Sequence, residues 1–255
     1  MIASTPESGL VLRAGPGRVG RWLLLAVLGL VAAGTLARVA LLLLDDSYAA
    51  LHELARRFDL DLESNVPSWY SSMGLLCAAG ILGIIARAKW HLRAPFRWHW
   101  ALLAVVFVGL SIDEAVQLHE LLRGPMHKRW ELHGLFHFAW IIPGAVAVAL
   151  FGLAYLRFLW HLSARTRLLF VSAAVLFVGA ALGLEAMGGA QVERTGYESV
   201  PYSILMVCEE GAEMLAVALF IYALLDYLRT DFGQVRIAFR DEPSYSHRDV
   251  AHRER

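Results

Sequence analysis

Cysteine is scarce: Cys77 and Cys208 are the only two in 255 residues, and both sit inside apolar runs rather than in loops. No disulfide framework can be read from them, and as small hydrophobes they are expected to be buried. Net charge is zero, so no basic surface argues for nucleic acid. No glycine-rich phosphate loop, nucleophile elbow, internal repeat or low-complexity tract occurs. Polar sequence long enough for an independent soluble domain is also missing. The chain is 58% hydrophobic, against about 45–50% for soluble domains, and its mean hydropathy is +0.52.

What is present is a set of long apolar runs. A helix needs about 20 mostly apolar residues to cross a bilayer core. Six stretches qualify: 22–44, 69–85, 98–122, 135–159, 167–187 and 201–228. The first is too long for the apolar region of a signal peptide and no clean cleavage site follows it, so it reads as a retained span. Of the 23 Lys and Arg residues, 16 fall on or at the span ends of one side and six on the other, with Arg38 alone well inside a span. By the positive-inside rule the richer side is cytoplasmic. The expected fold is therefore all-α: a polytopic bundle of six transmembrane helices, N-in and C-in, in a bacterial inner membrane. Trp22, Trp69, Trp90, Trp98, Trp100, Trp130 and Trp160 fall near span ends, as an aromatic belt requires, and only Trp140 lies clearly inside.

Three regions follow: a cytoplasmic tail over 1–21, the transmembrane domain over 22–228, and a mixed-charge cytoplasmic tail over 229–255 that reads as disordered. The outer loop from Asp45 to Pro67 is acidic, and Tyr48–Phe58 is expected to form a short surface helix.

An ionisable group inside a bilayer costs at least about 2.5–3.5 kcal/mol on insertion scales, so each needs a partner or a task. The third span carries Asp113, Glu114, His119 and Glu120, and the fourth opens with His133 and His137. The fifth holds Glu185, and the sixth holds Glu209, Glu210 and Glu213. At about 1.5 Å per residue, all of them fall in the outer half of the bilayer. About 100° of turn per residue puts Glu120, Asp113, Gln117 and Glu114 on one arc and sends His119 away from it. Glu209, Glu210 and Glu213 share one face of the sixth span. Pro143-Gly144 is expected to kink the fourth span.

So many carboxylates cannot all ionise together in low dielectric. Arg38 and the histidines can supply positive charge, and a divalent cation would do so best. Carboxylates with imidazoles on facing helices suit iron, manganese or zinc. The candidate ligands are Asp113, Glu120, His133, His137, Glu185, Glu209 and Glu213. Glu114 or Glu210 would be the general base toward metal-bound water. Three readings compete: a metal-dependent enzyme acting on a lipid or other apolar substrate, a carrier of protons or cations, and a structural polar network that docks a partner. The apolar inner halves of the later spans weigh against a carrier, since they offer no polar path to the cytoplasm. The Gly179–Gly183 pair suits close helix packing under any reading.

The run SIDEAVQLHE, with Gly183-Leu184-Glu185 and Glu209-Glu210-Gly211-Ala212-Glu213-Met214, resembles a group of bacterial multi-pass membrane proteins with no assigned reaction. The likeness covers roughly the third to sixth spans and implies the same topology. An Asp combined with HxxxH is also similar to the ceramidase-like zinc hydrolases of membranes. Here the order along the chain and the helix count differ from theirs, and no serine–histidine pair is apparent.

Overall fold

The computed structural model describes residues 15–44, 48–119, 121 and 132–233. Among them the chain is helical throughout, without strands. Helix α1 spans Pro16–Leu43, α2 Ala49–Arg56, α3 Val66–His91 and α4 Arg97–Val116. A 3-10 turn at Gly134–Phe136 precedes α5 at Ile141–His161. Then come α6 at Ala164–Val178, a π-helical turn at Gly179–Leu184, α7 at Glu185–Thr195 and α8 at Val200–Phe232. The π turn keeps α6 and α7 in one continuous 32-residue helix. That helix, together with α1, α3, α4 and α5, is long and apolar enough to cross a membrane. The sixth expected span corresponds to α8, which has 33 residues and three mid-helix glutamates.

Local chemistry sets these boundaries. Pro16 opens α1 where its missing N–H leaves nothing unsatisfied. Asn65 and Ser68 cap α3 reciprocally, Ser163 caps α6, and Ser199 caps α8 just ahead of Pro201. Pro143 falls in the first turn of α5 rather than mid-span, so it begins that helix instead of kinking it. The expected third span is also too long. Gln117 adopts φ 58°, ψ 47°, and this left-handed residue ends α4 at Val116.

Helix α8 is the central post, packing against α1, α3, α6 and α7. Ser72 and Ser111, both buried, each donate to the other's carbonyl at 2.8 Å and clasp α3 to α4. Apolar contact with lipid offers no drive for helices to associate, so such small-residue packing and interhelical bonding matter more than area. Gly179 and Gly183 do not serve that purpose. A side chain added at either would meet nothing within 4 Å, and both lie in the π turn just ahead of Glu185. Trp22, Leu28, Leu36, Leu150, Leu153 and Val175 face outward, and so do Cys77 and Cys208, which are exposed rather than buried.

One end of the bundle is basic, carrying Lys89, Arg93, Arg97, Arg157, Arg165, Arg167 and Arg229. The other carries the acidic loop after α2. Between them α8 buries Met214, Ala216, Val217, Ala218, Phe220, Ile221, Ala223 and Leu224. Phe107 and Phe220 stack there at 4.7 Å between ring centres.

Candidate functional site

The acidic loop is the outer boundary of the site, and its seat is on α1. Gly34 leaves room for Leu60, whose Cγ would lie 2.5 Å from a side chain built at that glycine. One turn further on, Arg38 reaches the loop. Its Nη1 lies 3.3 Å from Asp59 Oδ2 and 3.2 Å from Asp61 Oδ2. Its Nε donates to Ser203 Oγ at 3.1 Å and its Nη2 to the Tyr197 carbonyl at 2.5 Å. Tyr202 donates to Asp61 Oδ1 at 2.5 Å, and the Asn65 amide to the Asp59 carbonyl at 2.6 Å. Burial pushes the Asp59 carboxyl above its ordinary range, against the lowering pull of the Asp61 N–H and of Arg38. Arg38 thus ties α1, the loop and the start of α8 together. It does not neutralise the carboxylates of the later helices, as the sequence suggested.

Beneath this clamp lie the expected carboxylates. Glu209, Glu210 and Glu213 project from α8, Glu114 from the last turn of α4, and Glu185 from the first turn of α7. Glu210 lies within electrostatic reach of Glu114, Glu185, Glu63 and Asp61. Glu213 is within reach of Glu114, Glu185, Glu209 and Glu210. The helices therefore bring five of the sequence-predicted residues into one cluster. All five are half-buried. Glu114, Glu209, Glu210 and Glu213 take part in no hydrogen bond or ion pair among the described residues. Among the described residues no fully inaccessible side-chain oxygen lacks a partner, so their unbonded oxygens keep some accessible surface. Glu185 accepts from Trp140 Nε1 at 2.7 Å, which explains the one tryptophan that falls inside a span.

The histidines are arranged differently from expectation. Because α4 stops at Val116, His119 does not follow the helical rotation that would turn it away. It folds back so that its N–H donates to Asp113 Oδ1 at 2.8 Å, with its Nδ1 3.0 Å from Asp113 Oδ2. The ring lies 5.2 Å from that of Trp140, and His119 is within electrostatic reach of Glu185 and Glu63. His119 is thus the imidazole beside the carboxylate cluster.

His133 and His137 precede α5 and meet a residue the sequence reading passed over. Their Nδ1 atoms lie 3.4 and 3.1 Å from Glu193 Oε1, while the Gly134 N–H donates to Glu193 Oε2 at 2.8 Å. Gly189, one turn before Glu193, lets this segment approach, since a side chain there would sit 2.9 Å from His137 Cβ. Glu193 lay in the polar stretch expected to be a loop; its i, i+4 spacing from Gly189 and i, i+8 spacing from Glu185 were the available signal. Glu120, the remaining expected ligand, lies outside the described residues.

Chemically, the site is an oxygen-rich cluster with one imidazole at its edge. Among the described residues no three His, Cys, Asp or Glu side chains already surround one point as metal ligands would. Glutamate stems have several rotatable bonds, so closing on a cation is a matter of side-chain rotation rather than helix movement.

No curated protein and no solved structure matches the chain. A family model described as Domain of unknown function (DUF8692) matches residues 22–228, and the chain belongs to that family.

Proposed function

We propose that the protein is a six-span inner-membrane protein, N-in and C-in, that binds a divalent cation in the carboxylate cluster and uses it on a lipid or other apolar substrate. The observation that carries this reading is the cluster of Glu114, Glu209, Glu210 and Glu213. These are carboxylates from two helices, within electrostatic reach of one another and without bonded partners among the described residues, beside Glu185. Mutual repulsion at that density favours either bound protons or a cation. An oxygen-dominated set with one imidazole suits manganese or iron better than a thiolate-seeking metal. Glu209, Glu213 and Glu185 would be ligands, with Asp113 holding His119 toward them. Glu114 or Glu210 would accept a proton from water at the cation. His133 and His137, fastened to Glu193, would order the entrance rather than ligate.

The buried apolar side chains of α8 between Met214 and Leu224 favour a one-sided site over a carrier's path. The test is bound-metal analysis of the detergent-purified protein beside a Glu209→Gln, Glu213→Gln double variant. About one or two equivalents of manganese, iron or zinc, lost in a variant that still folds, is the expected result. Metal-free protein after reconstitution with each of these ions would refute the reading.

A further inference from the structure

At the basic end, far from the carboxylates, α3, α4, α8 and the α5–α6 corner enclose a cavity of about 240 Å³. This is below the roughly 300–1,000 Å³ of ordinary ligand pockets and suits a small polar group. Trp100 and Tyr227, stacked 4.8 Å apart, form its floor, and Lys89, Asp231, Ser163 and Thr166 contribute polar groups. Lys89 is paired with Asp231, and its ammonium also lies 4.9 Å from the Phe232 ring centre. Tyr227 donates to Asp231 Oδ2 at 3.0 Å. The Lys89 side chain is only 15% exposed, so its charge is held at the cavity rather than lost to solvent.

The depth of the cavity identifies the kind of occupant. Trp90, Trp98 and Trp160 are exposed around the same end. Arg97 lies over Trp90 at 4.9 Å and Arg167 over Trp160 at 4.7 Å, an aromatic–cationic belt at headgroup level. The cavity lining offers one lysine ammonium and one carboxylate, paired with each other, with His161 on the same wall. That combination matches a zwitterion whose phosphate and primary ammonium are a few bonds apart. We propose that this cavity binds the phosphoethanolamine headgroup of a membrane lipid. Lys89 turns from Asp231 to the phosphate, and Asp231 accepts from the lipid ammonium. The Lys89–Asp231 pair keeps both charges in place while the cavity is empty.

The test is native mass spectrometry of the full chain in mixed micelles with equal amounts of phosphatidylethanolamine, phosphatidylcholine and phosphatidylglycerol. The expected result is phosphatidylethanolamine retained at least ten-fold over phosphatidylcholine, whose quaternary ammonium cannot donate to Asp231. Asp231→Asn should bring that ratio close to one. Lys89→Gln should lower retention of all three lipids. Equal retention of the two zwitterionic lipids by the wild type would overturn the proposal, and so would an unchanged ratio in a folded Asp231→Asn variant. If Asp231→Asn does not fold, the wild-type ratio decides. Release of the lipid by an equal concentration of free phosphoethanolamine would overturn the lipid as the source.

Discussion

Replacing Arg38 by Met should loosen the end of the bundle that carries the acidic loop. Arg38 is 11% exposed and faces Asp59, which is 2% exposed, and Asp61, at 18%. Removing one partner of a buried pair costs about 3–5 kcal/mol, because the other charge is stranded. With Arg38 gone, the Asp59 carboxylate keeps only the 3.3 Å donation from the Asp61 N–H. Burial already raises the Asp59 carboxyl, so protonation limits the loss and places it toward the lower end of that range. For a chain of this size each kcal/mol moves Tm by about 2–4 °C, so the drop should be roughly 6–12 °C. Tryptophan-fluorescence melting in detergent reads it. An Arg38→Met, Asp59→Leu double variant should regain at least half the loss, since apolar groups of similar volume strand no charge. A drop below about 2 °C, or a double variant as damaged as the sum of the singles, would refute the clamp.

Other consequences are equally direct. In the folded protein Asp59 binds its proton at higher pH than the ordinary 3.8, so the native state holds more protons than the unfolded chain within that window. Stability contributed by this site should therefore rise as pH falls toward the raised value. The Tm difference between wild type and Asp59→Asn, followed against pH, should grow on acidification; a flat difference contradicts it. Gly34→Ala would push a methyl against Leu60 and, at 3.0 Å, the Phe58 carbonyl. It should cost about 1–3 kcal/mol and speed proteolysis of the loop after α2. Ser72→Ala and Ser111→Ala should each cost about 1 kcal/mol in melting experiments, and the double variant should cost less than their sum because the two hydroxyls also contact each other at 3.1 Å.

The helices and their polar stripe were legible because both rest on periodicity. Glu209, Glu210 and Glu213 share a face at helical spacing, and α8 forms there. Glu185 joins them because α7 packs on α8, and Glu114 because α4 packs on α3, which in turn packs on α8. The surface helix expected within Tyr48–Phe58 is present as α2. Missed details depend on where helices stop. A left-handed Gln117 ends α4 and redirects His119, which no rotation of 100° per residue could show. The pairing of Arg38 with Asp59 and Asp61 depends on the fold of a long loop, to which hydropathy is blind. The late start of α5, at Ile141 rather than near residue 135, leaves His133 and His137 off a helix face and on Glu193. Asp226, 2% exposed near the basic end, carries no signal of its own in an apolar run; it accepts from Arg165 Nε and Arg229 Nη2, each at 2.7 Å.

Cation binding in the glutamate cluster is tested most directly by anomalous scattering from crystals of the protein soaked in Mn²⁺. A peak within coordination distance of Glu209, Glu213 and Glu185 is predicted, absent from the Glu209→Gln, Glu213→Gln variant. No peak there at saturating Mn²⁺, or one confined to His133, His137 and Glu193, would contradict it.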